Sequence, residues 1–130
     1  MSKLLKQSKT IAIPPPDSLS VVNDYLKAFN AGDISKLGTY YADDITSRRT
    51  YAGGEFSTNT GIAEEMAHIA LVIAEGAKVG ISNATVEGDT VRADMCLTAP
   101  NLQFTGTIEY VVEQGKIVRW KATLNEESPG

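Results

Sequence analysis

The chain has 130 residues, a length typical of one domain with a single core. Hydrophobic residues make up 42% and charged residues 22%, which is ordinary for a globular protein and argues against a disordered chain. The formal net charge is −4, and Lys3, Lys6 and Lys9 lie near the start, so the remainder is more acidic still. Such a body repels a phosphate backbone, and we expect no nucleic-acid partner.

Cys96 is the only cysteine and His68 the only histidine. A single cysteine forms no intrachain disulfide, which fits a reducing compartment, and we expect the protein in the cytoplasm. No H-E-x-x-H or C-x-x-C pattern is present, so we expect no metal site, and we expect no organic cofactor. No stretch has the length and apolarity of a signal-peptide core or a membrane span, and we expect no membrane partner.

Residues 1–16 are predicted to form a flexible basic tail, because Pro14–Pro16 favours an extended backbone and blocks entry into a helix. Asp17 or Ser18 then caps a first helix. Its apolar residues recur at helical spacing, at Leu19, Val22, Leu26 and Phe29. Gly32 is predicted to end this helix, and Asp33 to cap a shorter second one with Leu37 and Tyr41 on one side.

Asp43 and Asp44 end the second helix, and residues 45–50 are predicted to be extended. The Gly-, Ser-, Thr- and Asn-rich segment 52–61 is predicted to be a long loop. A third helix over 62–75 has a predicted buried stripe at Ile62, Met66, Ile69 and Ile73. Strands are then predicted at 78–87, 90–98, 103–113 and 116–124. The domain therefore spans 17–125, with a tail at 126–130, and its fold class is α+β, with a curved antiparallel sheet around three helices.

Three segments carry a resemblance to a known superfamily. They are YLKAFNAGD at 25–33, YYADDI at 40–45 and GKIVRW at 115–120. In this order, with these elements between them, they resemble the nuclear transport factor 2-like superfamily, and within it the ketosteroid isomerases and SnoaL-like polyketide cyclases. The resemblance covers about 18–125. It implies a cone in which the sheet and helices enclose an apolar pocket, and a homodimer formed through the outer face of the sheet.

The resemblance and the alternation of strand side chains together predict which residues face the pocket. Likeness to ketosteroid isomerases turns Trp120, Ala122 and Leu124 inward, and the neighbouring strands follow by alternation. The predicted ligand-binding residues are Phe29, Ser47, Met66, Ala93, Met95, Phe104, Ile108, Tyr110, Trp120, Ala122 and Leu124. A mostly apolar wall with few polar groups is typical of a small-molecule site.

Two residues are predicted to act on the ligand electrostatically. Tyr25 matches the first-helix tyrosine that donates a hydrogen bond to the enolate oxygen in ketosteroid isomerases, although a core role with its hydroxyl bonded to a neighbour is equally open. Arg49 stands where those enzymes carry their general-base aspartate, and it stays protonated. We expect Arg49 either to hold a ligand anion or to reach past the rim into water.

The second oxyanion aspartate of the isomerases falls on Ile108, or on Glu109 in a shifted alignment that the alternation disfavours. Arg92 and Asp94 resemble part of an epoxide hydrolase pattern, but alternation turns them outward, and a surface ion pair is the favoured interpretation. His68 is predicted to face solvent, with a catalytic role as the alternative. Glu55 is predicted to lie on an exposed loop, with a lid or pocket rim as the alternative. No inward carboxylate is expected.

The same cone hosts many activities, so the superfamily alone does not define a function. One hypothesis is a cofactor-free isomerase, cyclase or hydrolase acting on a small, largely apolar substrate with a carbonyl or carboxylate. A second is a non-catalytic module that binds a small hydrophobic acid. A third is a dimeric adaptor whose pocket is incidental.

Overall fold

The computed structural model describes residues 17–125. Within them the helices are α1 (Ser18–Ala31), α2 (Ile34–Gly38) and α3 (Ile62–Ala74). The strands are β1 (Tyr41–Thr50), β2 (Phe56–Thr60), β3 (Lys78–Glu87), β4 (Thr90–Ala99), β5 (Leu102–Glu113) and β6 (Lys116–Leu124). The predicted tails at 1–16 and 126–130 lie outside the described residues. No helix in the described range is long and apolar enough to cross a membrane.

The strands form one sheet in the order β2-β1-β6-β5-β4-β3. Neighbouring strands are antiparallel except β1 and β6, which run parallel, with Ser47 opposite Trp120. The helices pack on one face of this curved, mostly antiparallel sheet, and the predicted α+β cone is confirmed. β6 lies near the centre of the sheet, so its inward side chains reach the middle of the enclosed space.

The first helix follows its local signals. The Asp17 carboxylate accepts the Ser20 backbone N–H at 2.8 Å, as expected of an N-terminal cap. Gly32 closes the other end with φ of 72°, in the left-handed region that favours glycine. The stripe between the caps buries Val22, Leu26 and Phe29 against the sheet.

The predicted second helix is too long. α2 ends at Gly38, and Tyr41 belongs to β1 instead. The Ile117 N–H donates to the Tyr40 carbonyl at 2.6 Å, and Tyr41 pairs with Ile117 across the parallel strands. Pairing with a strand distant in sequence therefore outweighs the local helical spacing.

The predicted long loop is partly wrong as well. Residues Phe56–Thr60 form β2, which pairs antiparallel with β1 and makes a hairpin. The turn is held by the Tyr51 N–H donating to the Glu55 carbonyl at 2.8 Å, and Gly54 has φ of 93°. The segment pairs as an edge strand despite its polar composition, because strand preference depends on the neighbouring strand as much as on residue type.

Candidate functional site

A cavity lies between the helices and the concave face of the sheet. The space open to the centre of a water-sized sphere is ≈ 50 Å³. Its wall consists of Tyr25, Leu26, Phe29, Arg49, His68, Ile69, Val72, Val79, Met95, Leu97, Ile108, Tyr110, Trp120, Ala122 and Leu124. The wall is therefore largely apolar, with phenol, indole, imidazole and guanidinium groups as its polar exceptions.

Phenols cluster at one side of the cavity. The Tyr25 and Tyr41 hydroxyls are 2.6 Å apart, and the Tyr110 ring meets the Tyr25 ring edge-on with centroids 6.0 Å apart. Burial raises the pKa of Tyr25 and of Tyr41 well above the ordinary value, so both phenols are neutral at physiological pH. Tyr25 thus faces the cavity as a neutral hydroxyl that already has a neighbour, which is compatible with either predicted role.

A buried carboxylate lies behind Trp120. Glu65 is 0% exposed. One of its oxygens, Oε2, accepts the Trp120 indole N–H at 2.7 Å, and the other, Oε1, accepts the Ser47 hydroxyl at 2.6 Å. These bonds fix the edge of the indole, so that its ring forms part of the cavity wall.

The expectation of no inward carboxylate is therefore wrong. Glu65 lies three residues after Ile62 and four before Ile69, on the same helical face, so the spacing was visible in the sequence. The residue type argued against burial, because glutamate is almost never fully buried unless it has partners. Only the positions of Trp120 and Ser47, which supply those partners, would have identified it.

Arg49 and His68 form the polar corner of the cavity. The Arg49 Nη1 contacts His68 Nε2, and Nη2 donates to the Ser57 hydroxyl at 2.9 Å. The Arg49 Nε is buried and has no hydrogen-bond partner. Arg49 forms no ion pair with any carboxylate of residues 17–125.

The position of His68 contradicts the prediction that it faces solvent. Its ring turns from α3 towards β1 and lines the cavity. Burial, and next the positive charge of Arg49, lower the pKa of His68 below its ordinary value. The imidazole is therefore neutral at pH 7 and retains a lone pair.

The site offers no ligand set for a metal. In the described part of the chain, no three His, Cys, Asp or Glu side chains lie together in a way that could hold an ion. Glu65 and His68 share a helix, but both oxygens of Glu65 already accept hydrogen bonds from Trp120 and Ser47.

The SnoaL-like domain family matches residues 22–120, which is most of the chain. The chain belongs to this family. The predicted resemblance is thereby confirmed, and the cavity is the pocket of a SnoaL-like cone. Among curated proteins, none matches the chain in sequence.

Solved structures share the SnoaL-like cone at low sequence identity. SalBIII, an epoxide hydrolase/cyclase-like enzyme in pyran ring formation in the polyether salinomycin, has a TM-score of 0.75 at 12% identity, covering 87% of this chain and 95% of its own. An epoxide hydrolase from M. tuberculosis has a TM-score of 0.68 at 20% identity, covering 82% and 81%. An NTF2-like protein from Cytophaga hutchinsonii has a TM-score of 0.71 at 13% identity, covering 87% and 94%. These likenesses establish the fold.

Most of the predicted site residues lie on the wall of this SnoaL-like pocket. They are Tyr25, Phe29, Arg49, Met95, Ile108, Tyr110, Trp120, Ala122 and Leu124. The indole at 120 and the methyl group at 122 point inward as the resemblance predicted, and both side chains are buried. Their role towards a ligand remains a prediction.

Four predicted residues are not on the cavity wall. Ser47 lies behind it, bonded to Glu65. Met66 packs beside Gly38, because α3 turns Glu65 inward in its place. Phe104 packs against the Tyr51 ring, with ring centroids 6.1 Å apart. Ala93 is buried in the sheet opposite Ile108, and its methyl group does not line the cavity.

The outward interpretation of Arg92 is confirmed. Its guanidinium pairs with Glu109 at 2.8 Å and with Glu87 at 3.0 Å on the outer face of the sheet. Glu109 is thereby turned away from the pocket, which contradicts the shifted alignment. Asp94 accepts from Asn83 at 2.8 Å on the exposed surface, and Glu55 is exposed in the β1–β2 turn, as predicted.

Proposed function

We propose that the protein binds a small, largely apolar molecule in the SnoaL-like pocket and holds it by a carboxylate or carbonyl oxygen. The observation that carries this proposal is the Arg49 guanidinium, which lies on the cavity wall without a carboxylate partner among residues 17–125. A charge partly removed from water is costly unless an opposite charge accompanies it. An anionic oxygen of the ligand would supply the missing partner.

The neutral contacts of Arg49 support this interpretation. His68 contacts Nη1 through Nε2 and Nη2 through Nδ1, and Ser57 accepts from Nη2, while the buried Nε–H has no acceptor. A guanidinium offers five N–H donors in a planar fork that matches the two oxygens of a carboxylate. The site therefore has donor capacity that the described residues leave unused.

The remainder of the wall suits an apolar ligand body. Phe29, Met95 and Leu124 face the cavity, and none of them brings a charge. Burial of apolar surface would supply most of the affinity, and the few polar groups would orient the ligand. The space open to the centre of a water-sized sphere is ≈ 50 Å³, so the pocket fits only a small molecule. A larger ligand would require the side chains of the wall to move.

We further propose that the molecule is transformed without a cofactor, by isomerase, cyclase or hydrolase chemistry. Membership of the SnoaL-like family and likeness to an epoxide hydrolase and a cyclase-like enzyme support this. Tyr25 would donate its hydrogen bond and Arg49 its charge to an oxygen that becomes negative. If proton NMR shows that a bound ligand is recovered chemically unchanged, the enzyme hypothesis is rejected and the protein is a non-catalytic binding module.

Replacement of Arg49 tests the binding proposal. We expect Arg49→Gln to weaken the binding of butanoate, benzoate or cyclohexanecarboxylate by roughly 1.5–3 kcal/mol, the usual value of hydrogen bonds to a charged group. Isothermal titration calorimetry measures the loss, and benzamide serves as the neutral comparison ligand. Arg119→Gln is the matched control, because Arg119 is exposed on β6. If Arg49→Gln binds every acid as the parent does, the proposal is abandoned.

We also propose a homodimer through the outer face of the sheet. That face carries Thr107 and Thr123 opposite each other and the ion pairs of Arg92 with Glu87 and Glu109. We expect Thr107→Arg to convert a dimer into a monomer, because two added charges would meet at the interface. Light scattering at micromolar concentration measures the mass, with Ala67→Arg as control, because Ala67 is exposed on helix α3, away from the outer face of the sheet. A monomeric parent protein would contradict this proposal.

A further inference from the structure

The only histidine of the chain lies beside the proposed anion site. We propose that His68 is the proton acceptor of the pocket, and that a ligand oxygen frees it by taking over the N–H groups of Arg49. This inference rests on the proposed function, since it needs an oxygen bound at Arg49.

The other polar groups of the cavity wall cannot accept a proton near neutral pH. Arg49 is already a permanent cation. Tyr25 and Tyr110 are neutral phenols, because burial raises the pKa of both. Glu65 does not line the cavity, and its two oxygens accept from Trp120 and Ser47. Among the described residues on the wall, His68 alone carries an available lone pair.

Burial, and next the positive charge of Arg49, keep His68 unprotonated until a ligand arrives. Arg49 approaches from β1 and lowers its pKa, while Glu65 and Glu75, on α3 and at its end, raise it by smaller amounts. Burial is the largest cause and also favours the neutral ring. An anion placed against Arg49 adds a negative charge at the same corner, and this favours the imidazolium.

The contact with Arg49 defines which nitrogen is available. A guanidinium has no acceptor, so Arg49 Nη1 donates and His68 Nε2 accepts. Arg49 Nη2 also lies 3.5 Å from Nδ1, but this nitrogen donates to the Ser57 hydroxyl at 2.9 Å. The shorter contact, at Nε2, therefore assigns the ring proton to Nδ1. When a ligand oxygen accepts the Arg49 N–H groups instead, the Nε2 lone pair becomes free.

The resulting step is an enolisation, and its atoms and electrons balance. Nε2 takes a proton from the carbon next to a carbonyl, and the electrons of the C–H bond form a C=C bond. The carbonyl π electrons move onto the oxygen beside Arg49, which carries the charge. The imidazolium then returns the proton to the same or another carbon, so the step needs no oxidant, reductant or metal.

A carboxylate is a stable stand-in for the charged enolate, and this makes the inference testable without a known substrate. Because the chain has one histidine, its imidazole signals in a nitrogen–proton NMR titration are unambiguous. Without ligand we expect the Nδ1–H tautomer. With saturating benzoate we expect the proton affinity of His68 to rise about tenfold or more, the usual effect of an opposite charge nearby. Calorimetry in buffers of different ionisation enthalpy should then show proton uptake on binding.

Three variants separate the inference from the proposed function. Arg49→Gln should raise the proton affinity of ligand-free His68, because a positive charge is removed. His68→Gln should still bind benzoate within about threefold but without proton uptake, since Arg49 is retained. Glu75→Gln, the control, should lower the proton affinity of His68 slightly and leave the tautomer unchanged.

The outcomes are distinguishable. Benzoate binding through Arg49 with an unchanged His68 titration overturns this inference and leaves the binding proposal intact. Predominance of the Nε2–H tautomer in the ligand-free protein also overturns it. If neither benzoate, butanoate nor cyclohexanecarboxylate binds, the proposed function fails and the inference fails with it.

Discussion

Gly106→Ala is expected to destabilise the fold by roughly 3 kcal/mol, near the upper end of what overpacking costs. An added Cβ at this buried position would lie 2.0 Å from the Thr123 carbonyl oxygen and 3.0 Å from the Leu124 Cα. Both obstacles are backbone atoms of β6, which cannot rotate away as a side chain does. Relief would require β5 and β6 to separate where Leu124 meets the cavity.

Gly80→Ala is the matched control for that substitution. Gly80 also lies on a strand, and an added Cβ there meets nothing within 4 Å. We expect no loss, or a gain of about 0.5 kcal/mol from the restricted unfolded chain. Urea unfolding of both variants measures the difference. Equal free energies of unfolding would show that β5 and β6 do not approach as closely at Gly106 as described.

Trp120→Phe is expected to cost roughly 3 kcal/mol of stability. The phenyl ring fills less of the core, which accounts for about 1 kcal/mol. The larger part is electrostatic, because the indole N–H that Glu65 accepts at 2.7 Å is lost and a buried oxygen is left without its donor. An unsatisfied buried group of this kind costs about 1–3 kcal/mol, and more if it is charged.

A double-mutant cycle isolates the hydrogen bond from the packing. In a Glu65→Leu background we expect Trp120→Phe to cost only about 1 kcal/mol, because no buried acceptor remains. Unfolding is followed by near-UV circular dichroism and tyrosine fluorescence in all four proteins. A cost that is the same in both backgrounds would mean that the Glu65–Trp120 bond contributes nothing to stability.

The last three strands were predictable almost to the residue, because local chemistry determines them. Gly88 and the Gln114–Gly115 pair have positive φ at the turns. Such turns are recognisable in the sequence without knowledge of the fold. Alternation then assigned Trp120 and Ala122 to the interior once one of them was oriented by the resemblance. The outward Arg92 followed from the same pattern.

The polar part of the site was not predictable in the same way. Glu65 is buried with a partner 55 positions away and another 18 positions away. His68 lies in the pocket because its ring meets Arg49, 19 positions earlier, across α3 and β1. A charged or polar residue becomes stable inside a protein only when such partners surround it, and periodicity carries no information about them. Strand β2 was not predicted for a related reason: its segment is polar, and only its pairing with β1 makes it a strand.

The amino-acid sequence by itself determined the fold class and the caps of α1, since periodicity and turn residues act over short distances. It also determined the apolar lining contributed by β5 and β6, once the resemblance had oriented Trp120. Only the tertiary structure decided that a carboxylate supports Trp120, and that Arg49 and His68 meet on the cavity wall. Those features depend on contacts between segments far apart in the chain, and the energy of a buried polar group is determined by the groups that the fold places around it.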